Sequence, residues 1–319
     1  MPVFAPVLPA RVSIREVGPR DGLQIEEPIA LGHKLELIEA IAATGVRRVE
    51  ATSFVSPRAV PALADAADVA AVLGRWPEIR WSALVASVRG AQRALAAGVR
   101  HLEYVISASD LHSRANVGRG TADSSGLVAE IAHLVHAADG SLEVIVGTAW
   151  DCPFAGPTPE ERVVAVTAAA IRHGADAICL GDTIGTTTPR RVWELVDAVR
   201  RASPDIDVGA HFHNTRGTGI ANALAAVQAG VTSLDASVGG LGGCPFAPGA
   251  SGNIATEELV YLLDGCGVVT DVDPDRVLAA AAVAERVIGH PLPSSLYRAG
   301  GAAVPLDPAR PVDSTHKEM

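Results

Sequence analysis

The chain has 319 residues, 48% hydrophobic, 4% aromatic and 19% charged, with a formal net charge of −10. That apolar content supplies a large core and excludes a disordered chain. The acidic balance argues against nucleic acid as the main partner, because phosphate contacts need a basic face. No stretch approaches the roughly 20 apolar residues of a membrane span. Residues 1–11 have neither the charged start nor the apolar run of a signal peptide, so a cytoplasmic protein with no membrane partner is expected.

Short β-rich runs recur along the chain, each followed by a helical segment. Strands are expected at 12–17, 48–52, 81–86, 101–107, 142–149, 177–180, 208–213 and 233–237. Amphipathic, Ala-rich helices are expected at 34–44, 59–73, 126–138, 159–173, 189–201 and 220–229. Thr158-Pro159-Glu160-Glu161 reads as an N-cap, a first-turn proline and acids that suit the helix dipole. Gly45, Gly98, Gly174 and Gly230 each end a helical run, as a C-terminal glycine should.

Eight alternating units in one chain predict an α/β fold of the (β/α)8 TIM-barrel type. A dinucleotide-binding sheet would place GxGxxG after the first strand, where Gly18-Pro19-Arg20-Asp21-Gly22 stands instead. Residues 254–290 hold more helix than a minimal barrel needs and read as additional C-terminal helices forming a cap. The expected organisation is one catalytic domain over 1–290 and a flexible tail over 291–319.

Catalytic groups of a barrel come from the C-terminal ends of different strands, and the polar residues unusual for their surroundings fall there. Arg20 and Asp21 follow the first strand, Glu50 lies in the second, Asp182 follows the sixth, and His211 and His213 end the seventh. The glycine-rich run Gly239-Gly240-Leu241-Gly242-Gly243 leads from the eighth into Cys244 and Pro245, with Asn253 beyond.

His211 and His213 are two apart, so on a strand their side chains share a face and can bind one ion. Asp21, brought beside the eighth strand by barrel closure, adds a carboxylate, and Asn253 a carbonyl oxygen. Two nitrogen and two oxygen donors suit Mg²⁺, Mn²⁺ or Zn²⁺. Alone, the histidine pair reads more readily as capped or core residues than as ligands; joined to Asp21 at the same rim, it favours the metal. A buried Glu50 is costly unless paired, which leaves a salt bridge or a group that orients Arg20. Asp182 reads as a cap of the following turn or as a reacting carboxylate. Glycines around Cys244 permit a loop that closes over substrate, and its thiol suits acid–base or nucleophilic work. Cys152, Cys179 and Cys266 read as reduced, buried small hydrophobes.

Five segments carry a family resemblance. They are Glu16-Val17-Gly18-Pro19-Arg20-Asp21-Gly22-Leu23-Gln24, Glu50-Ala51-Thr52-Ser53-Phe54-Val55-Ser56-Pro57, Leu180-Gly181-Asp182-Thr183-Ile184-Gly185 and His211-Phe212-His213-Asn214-Thr215. The fifth, longest and most specific, runs from Gly239 through Cys244-Pro245-Phe246-Ala247-Pro248-Gly249 to Asn253. The chain resembles the 3-hydroxy-3-methylglutaryl-CoA lyases, within the larger group of metal-dependent barrel lyases and Claisen-type synthases.

That resemblance implies Asp21, His211, His213 and Asn253 as ligands of Mg²⁺ or Mn²⁺, and Arg20 on the thioester oxygen of the substrate. It also implies Glu50 and Asp182 as supporting polar groups and Cys244 as the loop thiol needed for turnover. The expected activity is cleavage of an acyl-CoA thioester, 3-hydroxy-3-methylglutaryl-CoA, to acetyl-CoA and acetoacetate by a homodimer. Citramalyl-CoA is an alternative substrate. A condensing synthase of the homocitrate or isopropylmalate kind is disfavoured, because only about fifty residues follow the matched segment. Two departures bear on the acyl pocket: Asn214 stands where Asp is usual, and Arg216 where an uncharged residue is.

Overall fold

The computed structural model describes residues 8–243 and 252–300, so Cys244 lies outside the described residues. Eight strands form a closed barrel in ring order. They are β1 (Ser13–Glu16), β2 (Arg48–Ser53), β3 (Arg80–Val85), β4 (His101–Ser107), β5 (Ser141–Gly147), β6 (Ala177–Asp182), β7 (Asp207–Phe212) and β8 (Ser233–Ala236). Every neighbouring pair is parallel, and β1 closes the ring on β8. The (β/α)8 barrel expected from the alternation is the fold observed.

Small residues set how closely the helices approach. Ala83 on β3 and Ala91, Ala94, Ala170, Ala223 and Ala226 on the surrounding helices are fully buried, so helix backbones pack tightly on a sheet covered on its outer face. Gly45, Gly98, Gly174 and Gly230 all adopt positive φ, between 91° and 99°, where their helices stop.

Three local expectations are corrected. The 59–73 stretch is broken into a turn at Pro61–Leu63, a short helix at Ala66–Ala70 and a turn at Leu73–Arg75. Buried Lys34 donates to the Ala62 carbonyl and to Asp65, each at 2.5 Å, using an acceptor that a continuous helix needs for itself. Thr158 caps nothing; its hydroxyl donates to the Thr148 carbonyl at 2.8 Å, and the helix Glu160–Arg172 begins after Pro159. Cys152 and Cys179 are buried as expected, whereas Cys266 is exposed, at the end of the helix Thr256–Gly265.

The appended helix is Pro274–Ile288, N-capped by Asp273 and packed against the helix Leu31–Ala42 and the turn Val238–Gly240. Beyond it Leu292 is 1% exposed and a short helix spans Ser295–Arg298. Among the described residues no helix is long and apolar enough to cross a membrane.

Candidate active site

The link after β1 winds into a π-helical turn, Gly18–Gly22, in which the amides of Arg20, Asp21 and Gly22 all donate to the Val17 carbonyl. The turn points Asp21 at the end of β7. There the donor atoms of Asp21, His211 and His213 lie within 4.8 Å of one another, and the imidazole rings are 5.0 Å apart. Asn253 arrives on the return segment, which forms an antiparallel bridge with His213 just beyond the end of β7. Its Nδ2 donates to Asp21 Oδ2 at 2.9 Å and to the Leu241 carbonyl at 3.0 Å. This leaves Asn253 Oδ1 buried and without a hydrogen-bond partner among the described residues.

An orphaned amide oxygen beside a carboxylate and two imidazoles fits a divalent cation, because buried polar atoms otherwise find partners. The structure brings Asp21, His211 and His213 into one donor group, with the Asn253 amide hydrogen-bonded to Asp21 at its edge. Burial pushes the Asp21 carboxyl up, but Arg20 and the two imidazoles outweigh it and hold it at about 2. Burial and the neighbouring His211 push His213 down to about 4, so Asp21 is ionised and His213 neutral at neutral pH, the forms in which they ligate metals.

Arg20 stands beside this cluster. Its Nη1 contacts Asp21 Oδ1 at 2.5 Å, its Nη2 contacts Glu50 Oε2 at 2.6 Å, and its Nε is buried without a partner among the described residues. Both readings of Glu50 hold, since the salt bridge is also what orients the guanidinium. Gln24 braces the arrangement from below, donating to Asp21 Oδ1 at 2.8 Å. Asp182 accepts the amides of Thr186 and Thr187 at 3.1 and 3.3 Å, so it does secure the following turn. Burial, opposed by those amides, raises its carboxyl to about 6.

The two departures serve the loops. Asn214 Oδ1 accepts the Gly219 amide at 3.1 Å, at the start of the helix Gly219–Gln228, and Arg216 donates to the Ile184 carbonyl at 2.7 Å.

Several residues not singled out in the sequence support the site. Asp235 accepts from His211 Nδ1 at 3.1 Å and from Arg15 through two bonds of 2.8 Å. Arg15 also reaches Glu103 at 2.9 Å and Glu143 at 2.6 Å inside the barrel. Glu16 accepts the Gly18 and Val238 amides at 2.8 and 3.0 Å and the Thr256 hydroxyl at 2.6 Å, which ties the loops after β1 and β8 together. Their signal was available: each is a charged residue within a barrel strand. A cavity of about 400 Å³ opens at the opposite mouth, among Arg48, Arg80, His101 and Glu143. It lies at the starts of the strands, the end of a barrel that serves stability.

A closed parallel barrel with buried acids, imidazoles and a guanidinium gathered at the C-terminal ends of its strands has the make-up of a barrel enzyme. The chain belongs to the HMGL-like family, whose model matches residues 11–284. It is 40% identical over 287 residues to hydroxymethylglutaryl-CoA lyase YngG of Bacillus subtilis, covering 90% of this chain and 96% of that protein. It is 43% identical over 301 residues to (R)-citramalyl-CoA lyase of Chloroflexus aurantiacus, covering 91% and 95%. An HMG-CoA lyase structure from Acinetobacter baumannii, in complex with coenzyme A and 3-methylmalate, superposes with a TM-score of 0.89 at 38% identity, covering 97% of this chain and 100% of that one.

Proposed function

We propose that the protein is a carbon–carbon lyase that cleaves 3-hydroxy-3-methylglutaryl-CoA to acetyl-CoA and acetoacetate, with Asp21, His211, His213 and Asn253 holding Mg²⁺ or Mn²⁺. The observation that carries this reading is the Arg20 guanidinium, fixed between Asp21 and Glu50 with a free buried Nε–H beside the donor cluster. A cation held by the four donors would supply Lewis acidity toward substrate oxygens and fix the substrate's orientation.

The chain's own groups then divide the work. Asp182, with its carboxyl at about 6, is ionised at neutral pH and takes the proton of the 3-hydroxyl. The bond between C2 and C3 breaks, C3 becomes a ketone carbonyl, and the electron pair passes into the thioester enolate. Arg20 faces that enolate oxygen; a preorganised donor of this kind contributes about 3–4 kcal/mol to the transition state. A proton returned to C2, for which the Cys244 thiol is placed by sequence, completes the thioester product.

The second reading, cleavage of citramalyl-CoA, is favoured by the 43% identity to the Chloroflexus enzyme; the family's condensing synthases are the weaker alternative. The barrel with its appended helices forms one catalytic domain and assembles as a homodimer. Free thiols at Cys152, Cys179 and Cys266 support a reducing compartment, the cytoplasm. The test is an assay of the purified protein with Mg²⁺ or Mn²⁺ on both thioesters, followed by release of acetyl-CoA and repeated with EDTA. No cleavage of either, or of any related 3-hydroxyacyl-CoA, defeats the proposal. Light scattering of the same sample tests the dimer.

A further inference from the structure

Gly239 and Gly240 sit at the start of the glycine run, both in the left-handed region, with φ of 67° and 70°. The space above them is filled from the far end of the chain. A Cβ on Gly239 would collide with Leu292 Cδ1, and one on Gly240 would lie 3.3 Å from Pro293 Cγ. The Ser294 amide donates to the Gly239 carbonyl at 3.1 Å.

The segment that supplies these contacts is anchored independently of the site. The Leu292 amide donates to Glu285 at 3.1 Å, the Ser295 amide to Glu258 at 2.6 Å, and Leu292 is 1% exposed. On the other side of the turn, Leu241 offers its carbonyl to Asn253 Nδ2 at 3.0 Å, and a Cβ on Gly22 would lie 3.0 Å from the Leu241 side chain. A Cβ on Gly242 would lie only 2.6 Å from Asn253 Nδ2. The path therefore runs from Leu292 and Ser294 through Gly239–Gly242 to the Asn253 amide, whose nitrogen is held between Asp21 and the Leu241 carbonyl and whose oxygen has no hydrogen-bond partner among the described residues.

Resting on the lyase reading above, we propose that Leu292, Pro293 and Ser294 form a positioning clamp. It holds the turn at Gly239–Gly240 and, through the Leu241 carbonyl, keeps Asn253 oriented with Oδ1 toward the cation. None of the three belongs to the donor group. Their part is to fix Asn253, because an amide free to rotate presents nitrogen as readily as oxygen.

Two pairs of variants test this. Ser294 has φ −55°, which proline shares, so Ser294→Pro deletes the N–H to Gly239 and sets its Cδ against the Gly239 carbonyl, which loosens the turn. Ser294→Ala removes only the hydroxyl. Leu292→Ala empties the space above Gly239, whereas Leu292→Met refills it. Ser294→Pro and Leu292→Ala are expected to weaken Mn²⁺ binding, followed by electron paramagnetic resonance, about fivefold. They should lower kcat about tenfold with KM changed less than about twofold. Ser294→Ala and Leu292→Met should match the wild type.

Wild-type Mn²⁺ affinity and kcat in Ser294→Pro overturn the clamp, as does a loss no larger than the unfolded fraction seen on melting. Where Leu292→Ala does not fold, Ser294→Pro decides. Mn²⁺ affinity is measured without substrate. A wild type that binds the ion but cleaves no thioester therefore defeats the lyase reading and leaves the clamp to be judged on binding alone.

Discussion

Asp235 holds His211 by its Nδ1 at 3.1 Å while Arg15 grips both oxygens of the same carboxylate at 2.8 Å. Strand register produces this row, since Arg15 on β1 and His211 on β7 both pair with Asp235 on β8. Holding Nδ1 leaves Nε2 as the imidazole atom for the cluster and fixes the ring's rotation. Asp235→Asn is expected to weaken Mn²⁺ binding by about 10–100-fold. Because it also unbalances buried Arg15, the melting temperature should fall too. Unchanged Mn²⁺ affinity on titration would show that the Asp235 contact does not set the ligand.

Burial lifts the Glu16 carboxyl from its ordinary 4.5 to about 7, against the Thr256 hydroxyl and the Val238 and Gly18 amides. A carboxyl raised in the fold binds more protons folded than unfolded. Its favourable contribution is therefore complete below 4.5 and is lost as pH rises through about 7. The shift corresponds to about 3 kcal/mol at most. Glu16→Gln keeps most of the hydrogen bonds without the charge. The variant should show a smaller fall in melting temperature than the wild type between about pH 5 and pH 7, and parallel melting curves would contradict the assignment.

Arg20→Lys keeps a positive charge but loses the fork that engages Asp21 and Glu50 together. The expected loss in kcat is roughly 10²–10³, with buried Glu50 left partly unpaired and stability reduced. Steady-state kinetics on the better thioester, beside a thermal melt, separate the two effects.

Cation binding should stabilise the fold. At a free ion concentration about a hundred times Kd the gain is about 2.7 kcal/mol, so Mn²⁺ should raise the melting temperature and EDTA reverse it. His213→Ala should abolish the rise, whereas Cys244→Ala, outside the donor set, should keep the rise and lose turnover. A rise that persists in His213→Ala would place the ion elsewhere.

Much of this was readable from the residues because barrels obey a strict positional rule. Polar groups at the C-terminal ends of strands converge whatever the details of packing, so Arg20, Asp21, His211 and His213 could be grouped by position alone. Asp235, Arg15, Glu103 and Glu16 carried a related signal, a charge within a barrel strand, but their partners depend on register and closure. A shift of one residue would turn Asp235 away from His211. The broken helix at 61–75 was hidden for a similar reason: periodicity cannot reveal that Lys34, from another helix, takes the Ala62 carbonyl.

The hydrogen bond between Asn253 and Asp21 joins residues 232 positions apart. A ribosome adding about 5–20 residues each second needs roughly 10–50 s to cover that interval. Through most of that time β1 waits on the nascent polypeptide with the edge that β8 will cover unprotected, open to pairing with another strand.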